Sequence, residues 1–223
     1  LAGDFRRVKE RIVAYFARFE QIEGDLYRFD TRIYLADGEP STESVCVGAV
    51  VGINPGSARP RVLSALHELE LGKDKLLPFV KNRFETAYKK RKRLGADIPN
   101  SAFVQILNLF YLCNEDLGQA LSRLRGPEEQ PVCPAEKNIF PLTWYAWGAE
   151  NELLAPLKQR FLGRQDQASF YLKRDRKSFG DGIPGPMEFA KHPRGMPAEP
   201  VEVKLELMLE ALAANNSLRD HRP

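Results

Sequence analysis

Apolar positions along the chain change period several times, and each change marks an element. Behind Asp4, which is placed to cap a helix, Phe5, Val8, Ile12, Phe16 and Phe19 recur at three- and four-residue spacing and predict an amphipathic N-terminal helix. From Tyr27 the period drops to two. Tyr27, Phe29, Thr31, Ile33 and Leu35 share one face and Arg28, Asp30, Arg32 and Tyr34 the other, which predicts a half-exposed strand. Asp37-Gly38 and Pro40 then make a turn. Residues 45–53 are almost continuously apolar, β-branched or small, as in a parallel-sheet strand buried on both faces.

Beyond that strand the alternation continues. Val62, Leu66 and Leu69 predict one helix, and Leu77, Val80, Phe84, Ala87 and Tyr88 a second. Residues 102–110 read as another buried strand, 117–124 as a short helix, and 126–134 as a polar, Pro-rich break. A third core strand is expected over 139–147, a helix over 152–161 and a fourth strand over 168–172. Residues 180–200 hold most of the late Gly and Pro and predict a long loop. Val201, Leu205, Met208 and Leu212 then mark a closing helix, with a polar tail from Asn215.

Strands alternating with helices imply right-handed crossovers and a parallel sheet between helical layers. The expected fold is α/β: a three-layer αβα sandwich with a central four-stranded parallel sheet, plus an N-terminal helix and strand. It occupies a single domain, 1–214, with a tail over 215–223. Ligands of such sheets bind outside the carboxyl ends of the strands, which here means Asn54, Asn108, Trp147-Gly148 and the loop holding His192.

Composition narrows the setting. At 223 residues and 43% hydrophobic, the chain has material for one large core. It opens on Leu1, which leaves room for preceding residues, with a charged amphipathic pattern rather than a signal peptide. No apolar run reaches the roughly eighteen residues a membrane span needs. Cys46, Cys113 and Cys133 are odd in number, far apart and without a CxxC pair, so no metal, cofactor or disulfide framework is expected, and a cytoplasmic setting fits. A net charge of +3 permits a polyanionic partner without demanding one. The dense basic run Lys89-Lys90-Arg91-Lys92-Arg93 either tracks phosphates or is the solvated end of a helix.

Three positions combine the right residue types with the right ends of strands. In Gly52-Ile53-Asn54-Pro55-Gly56-Ser57 the glycines permit close approach and a tight turn and the proline fixes φ. Asn54 either points an amide into the cleft or caps a following helix. Asn108 ends the run Gln105-Ile106-Leu107-Asn108. Its donor–acceptor pair matches a pyrimidine edge if it faces the cleft, and a neighbouring loop if it does not. His192, in Lys191-His192-Pro193-Arg194-Gly195, follows the fourth strand in a Gly- and Pro-rich loop. His67 falls in a helical pattern and His221 in the tail, so no nucleophile triad assembles.

In order and spacing, G-I-N-P-G after the first buried strand, I-L-N closing the second and H-P after the last resemble the uracil-DNA glycosylase superfamily, over about residues 45–194. The first motif is similar to its mismatch-specific and thymine-glycosylase branch. N-P, N-L-F and W-G together also resemble an uncharacterised bacterial group related to that superfamily. The resemblance implies hydrolysis of the N-glycosidic bond of a flipped, damaged or deaminated base in DNA. Asn54 would orient water, Asn108 read the base edge and His192 hydrogen-bond the departing base. Gly52, Ile53, Pro55, Gly56, Ser57, Phe110, Tyr111 and Arg194 would complete the substrate site. Where family members carry a Ser-rich wedge, this chain has Arg194-Gly195-Met196, in which Arg194 would meet a phosphate and Met196 enter the base stack. The first motif has no carboxylate, so slower hydrolysis is expected than in branches with an Asp there. Asn82-Arg83-Phe84 echoes a run of the mismatch branch, although Phe84 lies on the core face of its helix. Two other readings remain: a non-catalytic nucleic-acid or nucleotide-binding module, and a hydrolase or transferase of free nucleosides.

Overall fold

The computed structural model describes residues 14–36, 38–56, 59–60, 66–92, 99, 101–148, 151–193 and 198–220. The first elements are β1 (Tyr15–Ile22) and β2 (Asp25–Tyr34), an antiparallel hairpin. Its two-residue turn has Glu23 at φ 51° and Gly24 at φ 86°, the doubly left-handed turn that matches strand twist. Phe16 and Phe19, expected on a helix, therefore lie in a strand. Their helical spacing yields to the alternation of buried Ala17 and Phe19, which finds a partner in β2. Asp4, Phe5, Val8 and Ile12 lie outside the described residues.

The remaining strands are β3 (Cys46–Gly52), β4 (Arg59–Pro60), β5 (His67–Glu70), β6 (Phe103–Asn108), β7 (Thr143–Tyr145), β8 (Ser169–Leu172) and β9 (Phe179–Asp181). The helices are α1 (Leu76–Lys92), α2 (Leu117–Ser122), α3 (Ala155–Gln159) and α4 (Ala198–Asp220). One sheet runs β4-β5-β1-β2-β6-β3-β7-β8-β9. The four buried strands read from the sequence sit together as β6-β3-β7-β8, each parallel to its neighbour.

The fold is α/β, but not a sandwich around a four-stranded parallel sheet: the sheet has nine strands and most of its pairings are antiparallel. β2 pairs antiparallel with β6, and β9 with β8, so both sides of the parallel group continue instead of ending. Of the helix predicted through Val62, Leu66 and Leu69, Val62 lies outside the described residues and Leu69 lies in a strand, β5, which pairs with β4. Only Leu69 of β5 is buried, too narrow a face to seat a helix. Nor is β2 half-exposed. Lying inside the sheet, it buries Arg28 and Tyr34 as well as Tyr27, Phe29 and Ile33. The long loop expected from Gly180 begins inside β9, and α4 runs on through the predicted tail to Asp220 because nothing in 213–220 is a Gly or Pro stop.

Helices cover both sheet faces. Leu77, Val80 and Phe84 of α1 and Val201, Leu205 and Leu209 of α4 pack over Val47, Val50, Val104, Ile106 and Trp144. On the other face Ala120 of α2, Leu157 of α3, Leu154 and Phe161 meet Ala49, Val51, Leu107 and Tyr145. Each fully buried aliphatic or aromatic side chain contributes about 1.5–3 kcal/mol. The turn between β8 and β9 is closed by Asp175, whose carboxylate accepts from the Lys177 and Ser178 amides and the Ser178 hydroxyl. These bonds, led by the Ser178 hydroxyl, lower its pKa from 3.8 to about 2. A carboxyl depressed in the folded state stabilises above its unfolded value and ceases to as pH falls through its folded one. The turn should therefore hold at pH 5 and open between about pH 4 and 2; an NMR pH titration of the Lys177 and Ser178 amides, against Asp175→Asn, checks this.

Candidate functional site at the carboxyl ends of the parallel strands

From the carboxyl end of β3 the chain proceeds to β6 on one side, and from β7 to β8 on the other. Connections that diverge from adjacent parallel strands open a crevice between them, the ligand position of such sheets. The loops around it are tied to one another. Leu109 N–H donates to the Gly52 carbonyl (3.0 Å) and Phe110 N–H to Ile53 (3.1 Å). On the opposite side Ala146 N–H donates to Val51 (2.8 Å) and Gly148 N–H to Ala190 (2.6 Å). Asn108 and the Gly148–His192 pair thus flank the end of β3 from either side.

Asn54 is half-buried and its Nδ2 donates to the Asn114 carbonyl at 2.7 Å. The next described element is β4, so it caps no helix; it ties the loop after β3 to the loop after β6. Pro55 is buried beside it and Gly56 adopts φ +69°. Ser57 and Arg194 lie outside the described residues.

Asn108 pairs in register with Gly52, and a Cβ at Gly52 would stand 3.2 Å from Asn108 Oδ1. The amide therefore lies across the bare glycine. Asn108 is 1% exposed, and neither Oδ1 nor Nδ2 has a hydrogen-bond partner among the described residues. A buried amide left in this condition is costly, so it calls for a reason outside the fold.

Phe110 and Tyr111 are both enclosed in the core rather than open to the crevice. The Tyr111 hydroxyl accepts from Asn108 N–H (3.4 Å) and donates to Glu136 Oε1 (2.7 Å). Arg160 binds the same carboxylate and also the Leu109 carbonyl (2.9 Å). Burial, with the Glu136 charge beside it, pushes the Tyr111 phenol well above its ordinary pKa, so it stays a neutral donor. This network steadies the backbone at Asn108. Glu136 falls in a polar Pro-rich stretch with no periodic signal, and sequence reasoning had no means of finding it.

Gly148 has φ +64°, and its absent Cβ would fall 2.7 Å from Cβ of half-buried His192. Gly148→Ala adds left-handed strain to a contact of real atoms and should cost about 1–3 kcal/mol. Urea unfolding measures the cost, and a shift of the His192 ring resonances reports displacement of its segment. Trp147, before the glycine, is fully buried, with Lys158 Nζ 5.5 Å above its ring.

The basic run divides. Lys90 Nζ lies 3.9 Å from Glu202 and 3.8 Å from Glu206 of α4, so at Lys90 the helix-end reading holds. Arg93 and the residues after it to 98 lie outside the described residues. Nearby Glu85 accepts from the Ala36 amide, just past β2, which puts this end of α1 by the amino end of β6 and away from Asn108. Among the described residues no group of three or more His, Cys, Asp or Glu side chains is gathered as a metal site, and no helix is long and apolar enough to cross a membrane. No protein-family model, no curated protein and no solved structure matches the chain.

Proposed function

We propose that the chain recognises a uracil-like, damaged or deaminated base flipped from DNA and hydrolyses its N-glycosidic bond. The observation that carries this reading is Asn108: a buried amide with neither polar atom partnered among the described residues, lying over Gly52 at the carboxyl end of a parallel strand. One donor and one acceptor on a planar amide match the adjacent donor and acceptor of a pyrimidine edge, and an incoming base would satisfy both. Asn54, with Nδ2 held by Asn114, keeps its carbonyl oxygen as the end that orients water. The water oxygen bonds to C1′, the C–N bond breaks with its electrons passing to the base, and the water proton leaves to solvent. His192, held against Gly148 on the far side of β3, hydrogen-bonds the departing base.

Residues 52–57 contain no carboxylate to act as general base, and this favours as second reading a module that binds the nucleotide without turnover. One experiment separates the two. The protein is incubated with single- and double-stranded oligonucleotides carrying uracil, G·T, hypoxanthine or alkylated bases, and abasic sites are cleaved with alkali. Strand breaks with one of them are expected. Their absence with all substrates at high protein concentration overturns hydrolysis, and saturable binding without breaks establishes the second reading.

A further inference from the structure

Cys46 and Phe103 pair at the amino ends of β3 and β6, the opposite end of these strands from Gly52 and Asn108, and an open recess of about 290 Å³ lies there. Its charged lining is Arg18, Asp30 and Arg32. A β-bulge brings Asp30 in. Phe16 pairs with Arg32 and Arg18 with Phe29, so Ala17 alone stands opposite Asp30 and Thr31, and Asp30 takes φ 46°. The Asp30 carboxylate accepts from Arg32 Nε (3.1 Å) and Nη2 (2.9 Å). Arg18 pairs with Glu20 through Nη1, which leaves its Nε and Nη2 edge. Each guanidinium lies over a ring, Arg32 over Phe103 (4.9 Å) and Arg18 over Phe29 (5.3 Å). The side chains of Arg18 and Arg32 are 32% and 29% exposed, so a solute can reach both.

Most of the remaining lining is apolar. Phe103, Pro134, Ala135 and Phe140 make walls, and Ile139 beside Phe140 is 65% exposed. Burial pushes the Cys46 thiol up to about 11, so at neutral pH it stays protonated and adds no charge. Gln105 is a polar side chain in the lining that is only 2% exposed. Its Nε2 donates to the Thr31 (3.0 Å) and Ile106 (3.3 Å) carbonyls, so Oε1 is the end of the amide left to a ligand. Two cations against one carboxylate favour a negative group, the rings favour an apolar body, and Oε1 calls for a donor.

We propose that this recess binds a small apolar acid with an N–H or O–H next to its carboxylate: an amino acid or a hydroxy acid with a hydrophobic side chain. The carboxylate meets the open edge of Arg18, the adjacent donor meets Gln105 Oε1, and the side chain lies against Phe103, Ala135 and Phe140. The site shares no residue with the crevice and stands whether or not Asn108 reads a base.

The test follows the melting temperature of the full chain and the NMR resonances of the Gln105 side-chain amide, at neutral pH and constant ionic strength. The probes are L-phenylalanine, phenyllactate and phenethylamine, which lacks the carboxylate. At least one of the two acids should raise the melting temperature and shift the Gln105 resonances saturably, and phenethylamine should do neither. Arg18→Gln, at a solvent-accessible position, should weaken the apparent affinity about tenfold or more. Asn108→Leu should leave the response as it is. Saturation by L-phenylalanine alone assigns an amino acid, and by phenyllactate alone a hydroxy acid. No saturable response to either acid, an equal response to phenethylamine, or full affinity in Arg18→Gln overturns the site. Binding of an acid without base excision would leave this site standing and remove the glycosylase reading; excision with no binding of either acid does the reverse.

Discussion

Asn108→Leu is expected to make the protein more stable and to abolish base excision together. Leucine is nearly isosteric with asparagine at the branch, so it occupies the space over Gly52 without the amide. The parent side chain is 1% exposed with neither polar atom partnered among the described residues. Exchanging an unsatisfied buried polar group for an apolar one of similar shape is worth about 1–3 kcal/mol in favour of the folded state. Urea unfolding should therefore show a higher midpoint at unchanged slope. Opposite movement of stability and activity marks a group held in an unfavourable state for a ligand, since a structural hydrogen-bonder loses both. A fall in stability on Asn108→Leu would assign the amide to a loop contact and remove the main support for base recognition. Asn54→Ala and His192→Ala should each slow excision about 10²–10³-fold, the scale of losing one oriented polar group at a developing charge. Asn54→Ala should also loosen the tie to Asn114.

How far the chain can be read without its structure depends on which element is asked about. The strands now seen as β3, β6 and β8 announce themselves because both their faces are buried, so their residues are apolar almost without interruption. α1 is equally plain, with Leu77, Val80, Phe84, Ala87 and Tyr88 all turned inward. The antiparallel additions are not plain. β4 has two residues and β9 three, too few for any period to show, and in β1 the spacing of Phe16 and Phe19 suits a helix as well as a strand. Arg28 inverts the usual inference: alternation assigns it to solvent, whereas neighbouring strands on both sides and α1 above enclose it. The candidate site divides the same way. Asn54, Asn108 and His192 were legible as polar residues at the ends of apolar runs. The support beneath them, through Tyr111, Glu136 and Arg160, joins residues far apart in sequence by hydrogen bonds alone.

Phe84→Ala is expected to cost about 3–5 kcal/mol of folding free energy and to leave excision per folded molecule unchanged. The ring is 0% exposed in the middle of α1 and sits in the cluster with Val50, Leu142 and Trp144, where helix and sheet meet. Its Cε1 atom lies 3.3 Å from where a Cβ on Gly48 would stand, so β3 is bare at the point where the ring rests on it. Truncation opens a cavity that rigid strand backbone cannot fill, which puts the cost toward the upper end of the range. Phe84 follows Asn82-Arg83 in the run that echoes the mismatch branch, and a ring that stacked on a base would behave differently. Its loss would raise KM or lower kcat with only a small change in unfolding midpoint. Arg83 is paired with Glu202 of α4, so this run is committed to holding the two helices together. Denaturant unfolding beside excision assays at a temperature where the variant remains folded decides between the two roles. A large drop in midpoint with unaltered turnover assigns the ring to the core, and thereby leaves the crevice between β3 and β7 without a stacking aromatic from α1.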